Sequence, residues 1–194
     1  MRAFLGIALP ASLRQLLVEV QRTLAEAGTD VRWVQPECLH VTLRFLGEIN
    51  EVQRIAIERI GARIGSSQGP FQLGLGSVGA FPTLDAPRVI WMGIDQGRDV
   101  VTQLMEHIEK KLRQVLAPSQ EEHAFIPHVT LGRVRSPRSS RILSRHLQTV
   151  PWRVPPPWSV SALTLFQSVL SSAGPRYTVF SEFSLEDSSR AETV

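Results

Sequence analysis

The tetrad HVTL stands at residues 40–43 and again at residues 128–131. The two copies lie 88 positions apart in a chain of 194 residues, and each contains one of only five histidines. Along a β-strand successive side chains take opposite faces, so each copy sets an imidazole beside a hydroxyl, His40 with Thr42 and His128 with Thr130. Val41 and Leu43, or Val129 and Leu131, point the other way and supply an apolar anchor. Similar elements surround both copies at close to half-chain spacing. The spacing predicts two related lobes, each presenting one tetrad to a shared cleft.

The pattern of elements agrees with that division. RAFLGIAL (2–9) is an unbroken apolar run that suits a buried strand. The next segment spaces Leu13, Leu16, Leu17, Val20 and Leu24 as a helix, with Ser12 as N-cap and Gly28 as stop. VRWV and LHVTLRFLGE read as strands, the second with an apolar face of Leu39, Val41, Leu43 and Phe45. EVQRIAIERIGARI is an amphipathic helix, and FQLGLGSVGAF and PRVIWMGI are two strands. In the second half DVVTQLMEHIEKKLRQVL is a helix, FIPHVTLGRV enters a strand, and PRSSRILSRHLQTV is a short helix. PWRVPPPW is a connector, because proline cannot serve a central strand. WSVSALTLFQSVL and RYTVFSEFSL close the fold as a pair of strands. Residues 1–183 are expected to form one two-lobed domain, and 184–194 a polar, flexible tail.

Bulk properties narrow the function classes. Hydrophobic residues make up 43% and charged residues 20%, which excludes wholesale disorder. No apolar run reaches the roughly 18 to 20 residues that span a bilayer. The N-terminal apolar stretch is broken by Pro10 and has no small-residue cleavage site, so a signal peptide is not expected. One cysteine, Cys38, permits no internal disulfide and suits a reducing compartment, the cytoplasm. Net charge is +3, and residues 133–146 hold Arg133, Arg135, Arg138, Arg141 and Arg145 without an acid. Guanidinium forks match phosphate oxygens, which marks this segment as a candidate polyanion contact.

Two histidines with two threonines suit one chemistry well. Histidine titrates at about pH 6.5, so one imidazole can take a proton from a nucleophile while the other gives one to a leaving group. The hydroxyls can hold phosphoryl oxygens during in-line displacement. Two rivals compete. Catalytic zinc usually needs three protein ligands, and neither tetrad supplies a third; only His123 could approach His128. A Cys38–His40 nucleophilic pair lacks an orienting group and has Pro36 close by. His107 and His146 lie on amphipathic helices as solvated side chains, and Trp33, Trp91, Trp152 and Trp158 are assigned to core and lobe packing.

The paired tetrads, together with RWVQPECLHVTLRFLGE, FIPHVTLGR, the opening RAFLGIALP, and GAFP before PRVIWMGI, resemble the two-histidine (2H) phosphoesterase superfamily. Within it the chain looks like the RNA 2',3'-cyclic phosphodiesterases, also known as 2'-5' RNA ligases. The resemblance covers residues 1–183 and implies an α+β, bilobal fold: two antiparallel sheets with helices outside, related by a pseudo-two-fold around a central cleft. It implies metal-independent hydrolysis of RNA 2',3'-cyclic ends to 2'-phosphomonoesters, with reversible 2'-5' RNA ligation as a possible second reaction and no cofactor. His40 would be proton donor and His128 proton acceptor, with Thr42, Thr130 and Arg133 on the phosphate. The partner would be RNA with a cyclic phosphate end, such as a tRNA half, bound by a monomer away from membranes. A non-catalytic RNA-end-binding module is the alternative.

One difficulty attends Arg133. Counted by twos from His128 it falls on the buried face of its strand, so either the strand ends or bulges near Gly132, which glycine permits, or the long arginine reaches around to the cleft. Arg44, by the same parity, shares the face of His40 and becomes a secondary phosphate candidate.

Overall fold

The computed structural model describes residues 1–28, 30–118, 124–136, 140–171 and 174–186. Its elements run β1 (Arg2–Ala8), α1 (Ala11–Ala25), β2 (Val31–Trp33), β3 (His40–Glu48), α2 (Glu51–Ser67), β4 (Phe71–Phe81), β5 (Val89–Gln96), α3 (Arg98–Leu112), β6 (His128–Val134), α4 (Ser140–Thr149), β7 (Trp158–Val160), β8 (Ala162–Ser171) and β9 (Gly174–Ser184). The periodicities in the sequence locate these elements closely. Helix α1 buries Leu13, Leu17, Val20 and Leu24 as one stripe, and α3 buries Val101, Leu104, Ile108 and Leu112 likewise. Helix α1 starts after Pro10, whose fixed φ suits the position, so Ser12 lies inside the helix and is not its cap. Gly28 takes a positive φ of 65° three residues beyond the helix end.

The strands form one antiparallel sheet in the order β7-β4-β5-β6-β3-β1-β8-β9, with β2 added to β6. It curls into a half-barrel with four helices among the described residues. The tetrad strands β3 and β6 meet at the middle, so each half of the order carries one of them at its inner edge. The lobes are not the two halves of the sequence. Strands β4 and β5 leave the first tetrad and join the second, whereas β8 and β9 return to β1. The expected single strand WSVSALTLFQSVL is accordingly two: β7 pairs with β4, and after Ser161 the chain crosses to pair β8 with β1. Alternation in the sequence marks both pieces but not the change of partner between them.

Helix α1, which follows β1, packs against β6, and α3, which follows β5, packs against β3, so each helix supports the tetrad strand of the other half of the sheet. Val41, Leu43, Val129 and Leu131 are each at most 3% exposed on that side. Burial of such side chains stabilises by about 2 kcal/mol each, which holds both strands in the register that the opposite face needs. At the C-terminus the Leu185 N–H donates to the Ser161 carbonyl, the Glu186 N–H to Gly65, and Leu185 is buried. The packed chain therefore continues through residue 186, past the expected boundary, and residues 187–194 lie outside the described residues. No helix among the described residues is long and apolar enough to cross a membrane.

Candidate active site

Strands β3 and β6 run antiparallel with Val41 opposite Val129. One step to either side, this register sets His40 across from Thr130 and Thr42 across from His128. Side chains opposite one another share a face, so all four polar groups of the tetrads converge on the surface turned away from α1 and α3. A cleft of about 550 Å³ opens there, lined by His40, Thr42, Thr130 and Arg133 among others. His128 stands beside it, near enough for its charge to disfavour a second proton on His40.

Both imidazoles are held alike. His40 Nδ1–H donates to the Cys38 carbonyl at 2.7 Å, and His128 Nδ1–H donates to the Ile126 carbonyl at 2.7 Å. A carbonyl can only accept, so in each ring Nδ1 carries the proton and Nε2 is left as the exchangeable atom. His40 Nε2 lies 2.9 Å from Thr42 Oγ1 and, in the neutral ring, accepts the hydroxyl proton. Aromatic rings fix both planes. Phe4 and Tyr177 lie 4.6 and 5.2 Å from His40, whereas Phe81 and Trp91 lie 5.2 and 5.9 Å from His128. Burial among these rings, more than the opposing pull of the Cys38 carbonyl, pushes His40 down to about pH 4, and His128 adds to the fall.

Arg133 reaches the cleft because β6 bulges. Trp91 pairs with Thr130 and Ile90 with Gly132, which leaves Leu131 as the extra residue and reverses the parity beyond it. The buried Gln21 of α1 supports this kink by donating from Nε2 to the carbonyls of Leu131 and Val34, at 2.8 and 2.9 Å. Strand β3 bulges at the equivalent place, since Gly6 pairs with Thr42 and Leu5 with Arg44. Two expectations change there. Phe45, expected on the apolar face, is 51% exposed and lines the cleft. Arg44, expected beside His40, instead donates from Nε to Glu109 of α3 at 2.5 Å and is largely covered, so it ties β3 to α3 and does not serve the cleft. Phe45 and Arg133 thus occupy corresponding positions after the two bulges.

The other nominated residues fall away from the chemistry or flank it. Cys38 sits in a short turn, 4% exposed, with its Sγ donating to the Pro175 carbonyl at 3.5 Å. Burial raises its thiol pKa, and His40 meets its carbonyl and not its sulfur, so the thiolate pair has no basis in the geometry. Iodoacetamide should accordingly leave Cys38 of the folded protein unmodified at neutral pH while labelling it fully in urea; rapid labelling of the native protein, read by mass spectrometry, would contradict this. Among the described residues no group of three or more His, Cys, Asp or Glu is placed to hold a metal ion; His123 lies outside them, as does Arg138. His107 and His146 are exposed on α3 and α4. Trp158 is buried, but Trp33 lines the cleft. The lining residues that escaped the sequence reading include Tyr177, which was identifiable only as the one tyrosine of the chain, and Arg32.

Comparison with known proteins follows the same outline. The family model "LigT like Phosphoesterase" matches twice, at residues 7–91 and 93–177, so its two repeats split the chain between the tetrads. The RNA 2',3'-cyclic phosphodiesterase of Aquifex aeolicus (strain VF5) is 30% identical over 187 residues, 95% of this chain and 97% of that protein. A crystal structure of a Thermus thermophilus protein superposes with a TM-score of 0.79 at 30% identity, covering 95% and 98% of the two chains. E. coli LigT complexed with 3'-AMP gives 0.75 at 27% identity, covering 96% and 98%. With both tetrads intact and both repeats matched, this chain belongs to the LigT-like phosphoesterase family of the 2H superfamily.

Proposed function

We propose that the chain hydrolyses the 2',3'-cyclic phosphodiester ends of RNA to 2'-phosphomonoesters, without a metal ion. The observation that carries this is the pair of tied imidazoles on neighbouring antiparallel strands, each with Nδ1 engaged behind it and its partner tetrad's threonine across from it. Water attacks phosphorus and gives a proton to His128 Nε2; the bond from phosphorus to the 3' oxygen breaks, and that oxygen takes a proton from His40 Nε2. Thr42, Thr130 and Arg133 hold the non-bridging oxygens as charge moves onto them. The Aquifex relative is named for this reaction, and E. coli LigT, in its 3'-AMP complex, holds a nucleotide with a 3'-phosphate.

Burial keeps His40 neutral at pH 7. A donor must first be charged, and the phosphodiester anion supplies the reason, because a negative charge against Nε2 favours the imidazolium. An RNA 5'-hydroxyl in place of water would run the same steps toward 2'-5' ligation. We further propose that the protein works as a monomeric, single two-lobed domain in the cytoplasm.

The direct test is turnover of a nucleoside 2',3'-cyclic phosphate, with the product's phosphate position read by phosphorus NMR. A 2'-phosphomonoester is expected, at the same rate after exhaustive treatment with EDTA. Binding without turnover would identify an RNA-end-binding module instead, and zinc-restorable loss in EDTA would return the metal reading.

A further inference from the structure

The cleft holds more positive charge than one cyclic phosphate needs. Strand β2 pairs with β6 so that Arg32 stands directly opposite Arg133. Arg135 follows Arg133 by two residues, and all three line the cleft. Like charges directly opposite one another on a sheet are destabilising, and none of the three arginines forms an ion pair among the described residues. Among the described residues no carboxylate lines the cleft. Arg32 is also seated: its guanidinium lies against Gly174, where a Cβ would come within 2.4 Å of Nη2, so the glycine leaves the space the guanidinium occupies.

The row has a direction. Thr130 and Arg133 lie nearest the histidines, and Arg135, one residue past the end of β6, stands two residues further from them, about 6.6 Å for extended chain, a distance of the order of one nucleotide step. A 2',3'-cyclic phosphate ends its strand, so the next phosphate along the chain is the one on the 5' oxygen of the same terminal nucleotide. We propose that Arg32 and Arg135 form a second phosphate site, which binds the phosphate on the 5' oxygen of the nucleotide whose cyclic phosphate is opened. The site makes the enzyme selective for strand ends and 5'-phosphorylated nucleotides over bare cyclic nucleosides. This rests on the phosphodiesterase reading given above.

The test compares three substrates: cytidine 2',3'-cyclic phosphate, the same compound with a 5'-monophosphate, and the dinucleotide CpC ending in a cyclic phosphate. For the wild-type protein kcat/KM should rise about tenfold or more with either 5' phosphate, the worth of one hydrogen bond to a charged group. In the Arg32→Gln, Arg135→Gln double variant that ratio should fall toward one. The slope of log kcat/KM against log salt for the dinucleotide should become shallower by about one per arginine removed. A wild-type protein indifferent to the 5' phosphate, a gain confined to the dinucleotide, or a ratio unchanged in the double variant would overturn the proposal. If the wild-type protein turned over none of the three substrates, the phosphodiesterase reading itself would fall, which is a separate result.

Discussion

Replacing His128 by Ala is expected to lower kcat for a cyclic nucleotide by about 10²- to 10⁴-fold, and replacing His40 by a similar factor. The double variant should lose little more than the worse single one, because the two proton transfers serve one displacement and residues acting as a unit are not additive. Residual turnover would come from Thr42, Thr130 and Arg133, which still hold the phosphate. His40 packs against Phe4 and Tyr177, so His40→Gln, which keeps more of that volume, belongs in the series beside His40→Ala, with thermal melts to show that the fold survives. The leaving group then distinguishes the two roles. A 3' alkoxide needs its proton, whereas a nitrophenolate departs without one. If His40 is the donor, the His40 variants should recover most of their loss on an aryl phosphodiester, and the His128 variants should not. Turnover of the cyclic nucleotide within tenfold of wild type in either single variant would remove the two-histidine mechanism, and recovery of the His128 variants alone would exchange the roles.

The fold was legible wherever a period was long enough to read. The stripes of α1 and α3 and the alternation in both tetrads appear in the sequence because burial selects them, one residue at a time. The site was legible through parity, which held from His40 to Leu43 and from His128 to Leu131 and then failed at the same place in both strands. A bulge adds one residue to one strand, so every side chain beyond it changes face. Phe45 was therefore assigned to the core and Arg44 to the cleft, whereas the structure shows the reverse. Glycine at 132 permitted the second bulge, one of three ways for Arg133 to reach the cleft, and the pairing of β6 with β5 shows that it is the one used. Nothing comparable marks Leu43, since the first bulge lacks a glycine at the equivalent position and is visible only in pairing with β1. Arg32 was illegible for another reason: its importance comes from standing opposite Arg133, a partner 101 positions away. The exchange of β4 and β8 between lobes is of the same kind, a choice of neighbour that no local pattern encodes.

In the free protein, the His40 ring should titrate near pH 4 by proton NMR, and sulfate, which stays dianionic across the range, should move that midpoint upward. Each unit of upward shift means about tenfold tighter binding of the anion to the imidazolium than to the neutral ring. Stability provides an independent reading with a defined sign. In the unfolded chain the ring titrates at about 6.5 and in the fold at about 4, so the unfolded state takes up the proton first. The contribution to stability is intact above about pH 6.5 and is lost as pH falls through 4. Between pH 7.5 and 4.5 the wild-type melting temperature should therefore fall by several degrees more than that of His40→Gln, which has no such proton to refuse. The kinetics should carry the same displacement, because kcat/KM reports the free enzyme and kcat the complex. Loss of the protonated donor should appear as a basic limb that sits at higher pH in kcat than in kcat/KM. A His40 that titrates at its ordinary value and ignores sulfate would have no need of substrate to become charged, and the coupling between anion binding and proton donation would not exist. A His40 that titrates near pH 4 and moves upward with sulfate would make the substrate's own charge the trigger, with the proposed acid armed only when a phosphodiester occupies the cleft.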